Sequence, residues 1–334
     1  MKDTVRESAI DNAKFIYVLM MIVYHCVFNA AKITGGDFLE LNKYLILVSG
    51  SFPFLAGYMV SHHYFELARE GRDRISVALL VRGVRLLVIY VLMNVLFLGY
   101  LVDVFPGGIV TVGGDVMANI VAVDPQKVIY DILVPLGEIM IIGALVLLVK
   151  DYLRGLSVVW LLVGVFTLTF YYIDLPYLAC GVAGVIAGVK GVDTLLREKF
   201  SSNISVILAL AFGVALAVYA SSPRSTGLFY IAGVIFLFYA IVSLSGKAGK
   251  FGAWFENERK LYAAYSLVIY LVHVPLLVVV TVVLGSNSSI KSPYGIMLIL
   301  LSTVLLSMSF LTRMLQLARS KSVGLNKVYK TIIG

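Results

Sequence analysis

Charge is what this chain has least of. Only 14% of its 334 residues are Asp, Glu, Lys or Arg, where soluble domains carry about 25%. Hydrophobic residues make up 60%, against about 45–50% in soluble chains. Cysteine occurs twice, at Cys26 and Cys180, each inside an apolar run. Thiols so placed act as small buried hydrophobes, which argues against a disulfide framework and a cysteine metal site. There is no repeat of 20–50 residues, no low-complexity tract and no appended hydrophilic domain. Metal-binding, Walker, dinucleotide and catalytic-triad motifs are also missing. The apolar residues come in blocks of membrane-spanning length, which excludes an ordinary soluble enzyme.

A helix crosses the hydrocarbon core with about 20 apolar residues. Scanning at that length predicts spans at 13–31, 44–61, 76–101, 129–149, 156–173, 175–190, 203–220, 226–245, 262–284 and 294–317. The expectation is an all-α integral membrane protein, a bundle of about ten transmembrane helices forming one polytopic domain over 1–334. The fifth and sixth spans are short and meet at Asp174-Leu175-Pro176, so tilt or local irregularity is expected there. Lys14 interrupts the first apolar run, which is expected to stay as the first helix and not be cleaved as a signal peptide.

Lys and Arg counts orient the bundle. With a cytoplasmic N-terminus, 19 fall in cytoplasmic segments and 5 in the opposite loops; Lys14, Arg82 and Arg85 lie within helices. Both termini are therefore expected to be cytoplasmic. The net charge of +8 is topological, with no call on nucleic acid. The longest connection on the other side, 102–128, is rich in Gly and Asp and reads as either a lid or a connector.

Ionisable groups inside a bilayer are costly, and each one asks for a function. Lys14 and His25 are eleven residues apart, about 20° beyond three full turns, so they share a face about 16 Å apart along the axis. Lys14 belongs near the cytoplasmic end, and His25 beyond the midplane toward the outer leaflet. Asp11, three residues before Lys14, is placed to pair with it or orient it. Lys14 reads equally as a snorkelling residue, and His25 as a polar group satisfied by a neighbouring helix. A histidine takes and returns a proton near neutral pH, which makes His25 the best general base in the chain.

Arg82 and Arg85, at i, i+3, share a face two to three turns in from a cytoplasmic loop. Guanidinium groups suit phosphates, although snorkelling also accounts for them. His273 precedes Pro275, which is expected to loosen the backbone hydrogen bonding of its helix. Glu138 lies mid-helix and needs a partner if buried. Both read either as site members or as structural polar contacts. His62 and His63, at a helix end, read as interfacial surface.

These residues resemble a known family. The arrangement Asp11…Lys14…His25, with ten residues between cation and histidine, is similar to the first-helix motif of the acyltransferase family 3 membrane O-acyltransferases. Phe52-Pro53-Phe54-Leu55-Ala56-Gly57-Tyr58 resembles the family's second-helix segment, and Arg82-Gly83-Val84-Arg85 its third-helix arginine pair. The run Tyr265-Ser266-Leu267-Val268-Ile269-Tyr270-Leu271-Val272-His273 is similar to its late segment ending in histidine. Phe15 and Ala56 depart from the family's usual glycine and serine, which points to a divergent branch.

The resemblance implies transfer of an acyl group, usually acetyl from acetyl-CoA, to a hydroxyl of a carbohydrate or lipid-linked sugar at the bacterial cytoplasmic membrane. His25 would be the catalytic residue, Lys14, Arg82 and Arg85 the cations that hold CoA phosphates, and His273 a further polar member. No metal is implied. With no fused esterase-like domain visible, a stand-alone transferase is expected. Exopolysaccharide, O-antigen, undecaprenyl-linked sugar and peptidoglycan all fit as acceptor, and succinyl fits as an alternative acyl group. The competing class is a secondary transporter or flippase, for which intramembrane cations and a Pro-interrupted helix also serve. No related halves with matching broken helices are visible.

Overall fold

In lipid every backbone N–H and C=O must be satisfied within the segment, so long apolar runs become helices. A computed structural model describes residues 8–34, 47–96, 130–149, 176–199, 202, 206–207, 227–247, 253–285 and 292–332, and these contain helices and no strand. In chain order the helices are α1 (Ser8–Thr34), α2 (Leu47–Met59), a π-helical turn (Val60–Tyr64), α3 (Phe65–Leu96), α4 (Leu133–Val149), α5 (Pro176–Ala187), α6 (Lys190–Lys199), α7 (Gly227–Lys247), α8 (Ala253–Ala264), α9 (Ser266–Gly285), α10 (Pro293–Lys321) and α11 (Val323–Ile332).

Local sequence explains several boundaries. The Ser292 hydroxyl accepts from the Gly295 N–H, and Pro293 takes the first helical position of α10. Arg319 and Lys321 end α10, where cations suit the negative end of the helix dipole. The α3 helix breaks at Gly71, and its membrane-length part is Gly71–Leu96.

Four described helical segments are long and apolar enough to cross a membrane: Ala9–Ala31, Gly71–Leu96, Ser266–Gly285 and Pro293–Lys321. The pair Tyr177–Ala187 and Val192–Lys199, bent by 93°, makes a fifth if it counts as one broken span. The bend lies at the end of the sixth expected span, beyond the Asp174-Leu175-Pro176 junction at which the sequence suggests irregularity. Leu133–Leu148 and Tyr230–Leu244 are shorter apolar helices. The fifth expected span (156–173), most of the seventh (203–220) and the connection 102–128 lie outside the described residues.

The chain divides into two compact units. One comprises Met1–Val48, Phe200–Pro223 and Phe236–Gly334; the other comprises Ser49–Lys199 and Arg224–Ile235. In the first, α10 buries Ile296, Leu300, Val304, Met308 and Thr312, one residue every four, and so presents a single stripe inward. Its other face leaves Leu298, Leu306 and Phe310 exposed at 57%, 71% and 64%. So much apolar surface on an outward face is a liability in water and a fit to lipid.

In the second unit the helices meet through glycine. A Cβ on Gly83 of α3 would lie 2.6 Å from the Gly137 carbonyl oxygen of α4, and a Cβ on Gly137 would lie 2.9 Å from the Gly83 oxygen. Backbones can touch this closely only without side chains, which is how helices gain packing contact in a membrane. The same device joins α2 to α5, where any Cβ on Gly57 or Gly184 would run into the opposing backbone. Around these crossings Val60, Leu79, Ile139, Leu147, Val182 and Val185 form a fully buried apolar cluster.

Candidate active site

The first unit builds its polar centre from α1 lying alongside α8 and α9. Three contacts define the alignment. Arg259 donates to the Asn12 side-chain oxygen. The Phe15 and Tyr262 rings meet edge to face at 5.7 Å. The His25 and His273 rings lie 5.1 Å apart at an interplanar angle of 56°. Partner numbers differ by 247, 247 and 248, so the two helical runs rise together in parallel. The α8–α9 run carries its hydrogen bonding through the joint at Tyr265, whose N–H donates to the Leu261 oxygen and whose own oxygen accepts from Ile269. The expected span at 262–284 is therefore the upper part of a longer helical run that begins at Ala253.

His25 is half-buried, with Tyr24 packed edge-on at 5.1 Å and the Asn29 amide donating to its carbonyl at 2.8 Å. His273 is fully buried. Its Nδ1 lies 3.0 Å from the Ile269 carbonyl oxygen, an acceptor, so the proton sits on Nδ1 and Nε2 is left with its lone pair. That Nε2 is buried without a hydrogen-bond partner among the described residues. Pro275, expected to loosen the backbone hydrogen bonding, lies inside α9, which runs unbroken from Ser266 to Gly285. Proline removes one N–H, and the rest of the ladder holds. On α1, Asp11 is buried and Lys14 half-buried.

The second unit holds the arginine pair. Arg82 donates to the Tyr64 hydroxyl, and its guanidinium carbon sits 5.4 Å from the centre of that ring. Tyr64 closes the π-helical turn, an irregularity that often accompanies function. Arg82 and Arg85 are both half-buried. They flank Gly83, whose backbone meets Gly137, the neighbour of Glu138, so the crossing of α3 and α4 carries both arginines and the glutamate. The Oε2 of Glu138 is buried with no hydrogen-bond partner among the described residues.

His62 and His63 were read as interfacial surface, but His62 belongs to a connected polar group. Its ring stacks on Tyr58 at 5.0 Å and 17°, and its Nδ1 lies 3.7 Å from an Asp193 carboxylate oxygen. Tyr58 donates to Asp193 at 2.9 Å, and Arg197 donates to both Asp193 oxygens and to the Tyr58 hydroxyl. Spacing between α2 and α6 could not reveal this group; only the Asp193–Arg197 i, i+4 pair was visible in the chain.

The structure thus pairs His25 with His273, and separately places Arg82, Arg85 and Glu138 on the two helices that cross at Gly83 and Gly137. A buried imidazole with a free acceptor nitrogen beside a second, partly accessible imidazole is equipped for proton transfer. The family model described as the acyltransferase domain, of acyltransferase family 3, matches residues 7–312. No curated protein and no solved structure matches the chain.

Proposed function

The chain belongs to acyltransferase family 3, and from that premise we propose that this multi-pass membrane acyltransferase acylates cell-surface sugars. It moves an acetyl or similarly short acyl group from cytoplasmic acyl-CoA to a hydroxyl of a carbohydrate or lipid-linked sugar at the bacterial cytoplasmic membrane. The observation that carries the site assignment is the His25–His273 ring pair.

With Nδ1 of His273 committed to the Ile269 carbonyl, its Nε2 is an acceptor. An N–H of His25 turned to that acceptor leaves the other His25 nitrogen unprotonated and ready to act as a base. His25 takes the proton of the acceptor hydroxyl as the oxygen attacks the thioester carbonyl. The C–O bond forms, the C–S bond breaks, and the proton passes to the departing sulfur, giving the acyl ester and free CoA thiol. A transient acyl-histidine uses the same nitrogen in two steps and is the other route. Lys14, Arg82 and Arg85 are assigned to the anionic parts of the donor, which guanidinium and ammonium groups hold by charge-assisted hydrogen bonds. The acyl group enters from the cytoplasm, and the acceptor meets it toward the outer leaflet, where the first helix is expected to carry His25.

His273 is a positioning residue in this scheme. Replacing it with glutamine is expected to slow transfer on the order of 10–100-fold while leaving acyl-CoA binding intact, a smaller loss than removal of the base itself. Steady-state rates beside acyl-CoA binding, both on purified protein, test this. Equal loss of binding and rate would reduce His273 to a packing role.

A further inference from the structure

A cleft of about 880 Å³ opens between α8, α10 and α11 in the first unit, lined by Asn257, Lys260, Tyr265, Arg313, Arg319 and Asn326 among others. Both of its walls come from segments whose basic residues are expected to lie on the cytoplasmic side. The cations in it are not equivalent. Arg313 is bonded to the buried Glu258 carboxylate, which also accepts from Ser309 at 2.5 Å. Among the described residues Arg319 has no carboxylate partner. Its Nη1 donates to the Tyr265 hydroxyl at 3.1 Å, and its Nε and Nη2 to the Asn326 side-chain oxygen at 3.3 and 3.2 Å.

None of those acceptors carries a charge. The guanidinium packs against two rings that meet edge to face, 3.9 Å from the centre of Tyr329 and 5.5 Å from that of Tyr265. Tyr329 in turn donates to the Ala264 carbonyl at 3.1 Å, which ties α11 to the end of α8. Burial pushes the Tyr329 hydroxyl up to about 12, so it stays a donor at physiological pH. Lys260 adds a second cation, paired among the described residues with Glu256 at 3.2 Å, a surface pair that water and salt weaken. The cleft therefore presents a pre-positioned guanidinium and an ammonium whose surface pair an anion can displace.

We propose that this cleft binds the 3′-phosphoadenosine end of the acyl-CoA donor, with Arg319 and Lys260 on its terminal phosphate. The assignment rests on the acyl-CoA reading above. Its geometry suits the route to the histidines. Tyr265, on the cleft wall, precedes His273 by eight residues, about 12 Å along the helix axis, so a pantetheine arm can follow α9 from the cleft to the ring pair. Leu261 and Leu317 supply apolar wall for the adenine.

The test compares CoA with dephospho-CoA, which lacks the 3′-phosphate, by equilibrium dialysis against the full-length protein in detergent. Wild type is expected to prefer CoA by about tenfold, the equivalent of one charge-assisted contact. Arg319→Gln and Lys260→Gln are each expected to shrink that preference, Arg319→Gln to near unity, while Arg85→Gln leaves it in place. Lys260 is exposed, so its variant carries little risk of misfolding, and Arg319→Lys should restore part of the preference. If wild type binds both nucleotides equally, or if Arg319→Gln keeps the preference, this site is overturned while the acyl-CoA reading stands. If wild type binds neither, the acyl-CoA reading falls and the site with it. The same phosphate chemistry could serve a lipid headgroup. Loss of co-purified phosphatidylglycerol from Arg319→Gln with unchanged CoA binding would overturn the proposal in favour of lipid.

Discussion

Replacing His25 with alanine, at unchanged membrane abundance, is expected to lower acyl transfer by about 10²–10⁴-fold, the range that general-base groups contribute. His25 is the half-buried member of the ring pair, and His273 the sealed one. Thermal stability is measured beside the rate, because the His25 ring packs on Tyr24 and His273. A large loss of rate with normal abundance and thermal stability would thus be chemical in origin. The O-acyl content and mass of the surface glycan, compared between variant, parent and deletion strains, provide the readout and also identify the acceptor. A variant that still acylates the glycan at parental levels would remove His25 from the mechanism.

The second large effect is structural. Gly184→Val is expected to destabilise the protein by at least about 3 kcal/mol, at the upper end of overpacking costs. A Cβ at this position would run into the Phe54 carbonyl and come within 2.9 Å of the Tyr58 backbone nitrogen. Neither neighbour is a side chain that can rotate away, so α2 and α5 must separate. Separation would also strain the polar group that joins Tyr58 of α2 to Asp193 and Arg197 of α6, the helix that follows α5. A downward shift in melting temperature on the order of 10 °C in detergent is expected, along with reduced abundance. Gly324→Val, where a Cβ would have only the Ser322 hydroxyl at 3.8 Å, is the control and should change little. Equal melting temperatures for the two variants would contradict the close α2–α5 contact.

How much of this could be read from the residues alone follows from what a hydropathy window can see. The membrane class and the candidate positions Lys14, His25, Arg82, Arg85 and His273 stand out because a polar group in an apolar run is conspicuous at any register. The partnership of His25 with His273 was not legible, since 248 residues separate them and only the parallel packing of α1 on α9 joins them. The start of that helical run was missed for a different reason. Ala253–Ala264 carries Glu256, Glu258, Arg259 and Lys260, so its mean hydropathy falls below any span threshold although its backbone is helical. Tyr58, Asp193 and Arg197 were passed over because a tyrosine in an apolar helix and a charged pair in a loop each look ordinary until folding joins them. The bend after Ala187 was foreshadowed only by the shortness of its apolar run. In the sequence Arg319 is one more basic residue of an expected cytoplasmic tail; its packing against two tyrosine rings is a tertiary fact.

The most direct test of the central claim follows both products of one turnover. Purified wild-type protein in nanodiscs is supplied with acetyl-CoA and a candidate glycan acceptor, and free thiol and acyl ester are measured together. The account predicts that thiol and ester appear in equal amounts with wild type, that thiol release needs the acceptor, and that both vanish in His25→Ala while acetyl-CoA still binds. Sugar counterflow without thiol release, or wild-type rates of both products from His25→Ala, would contradict it.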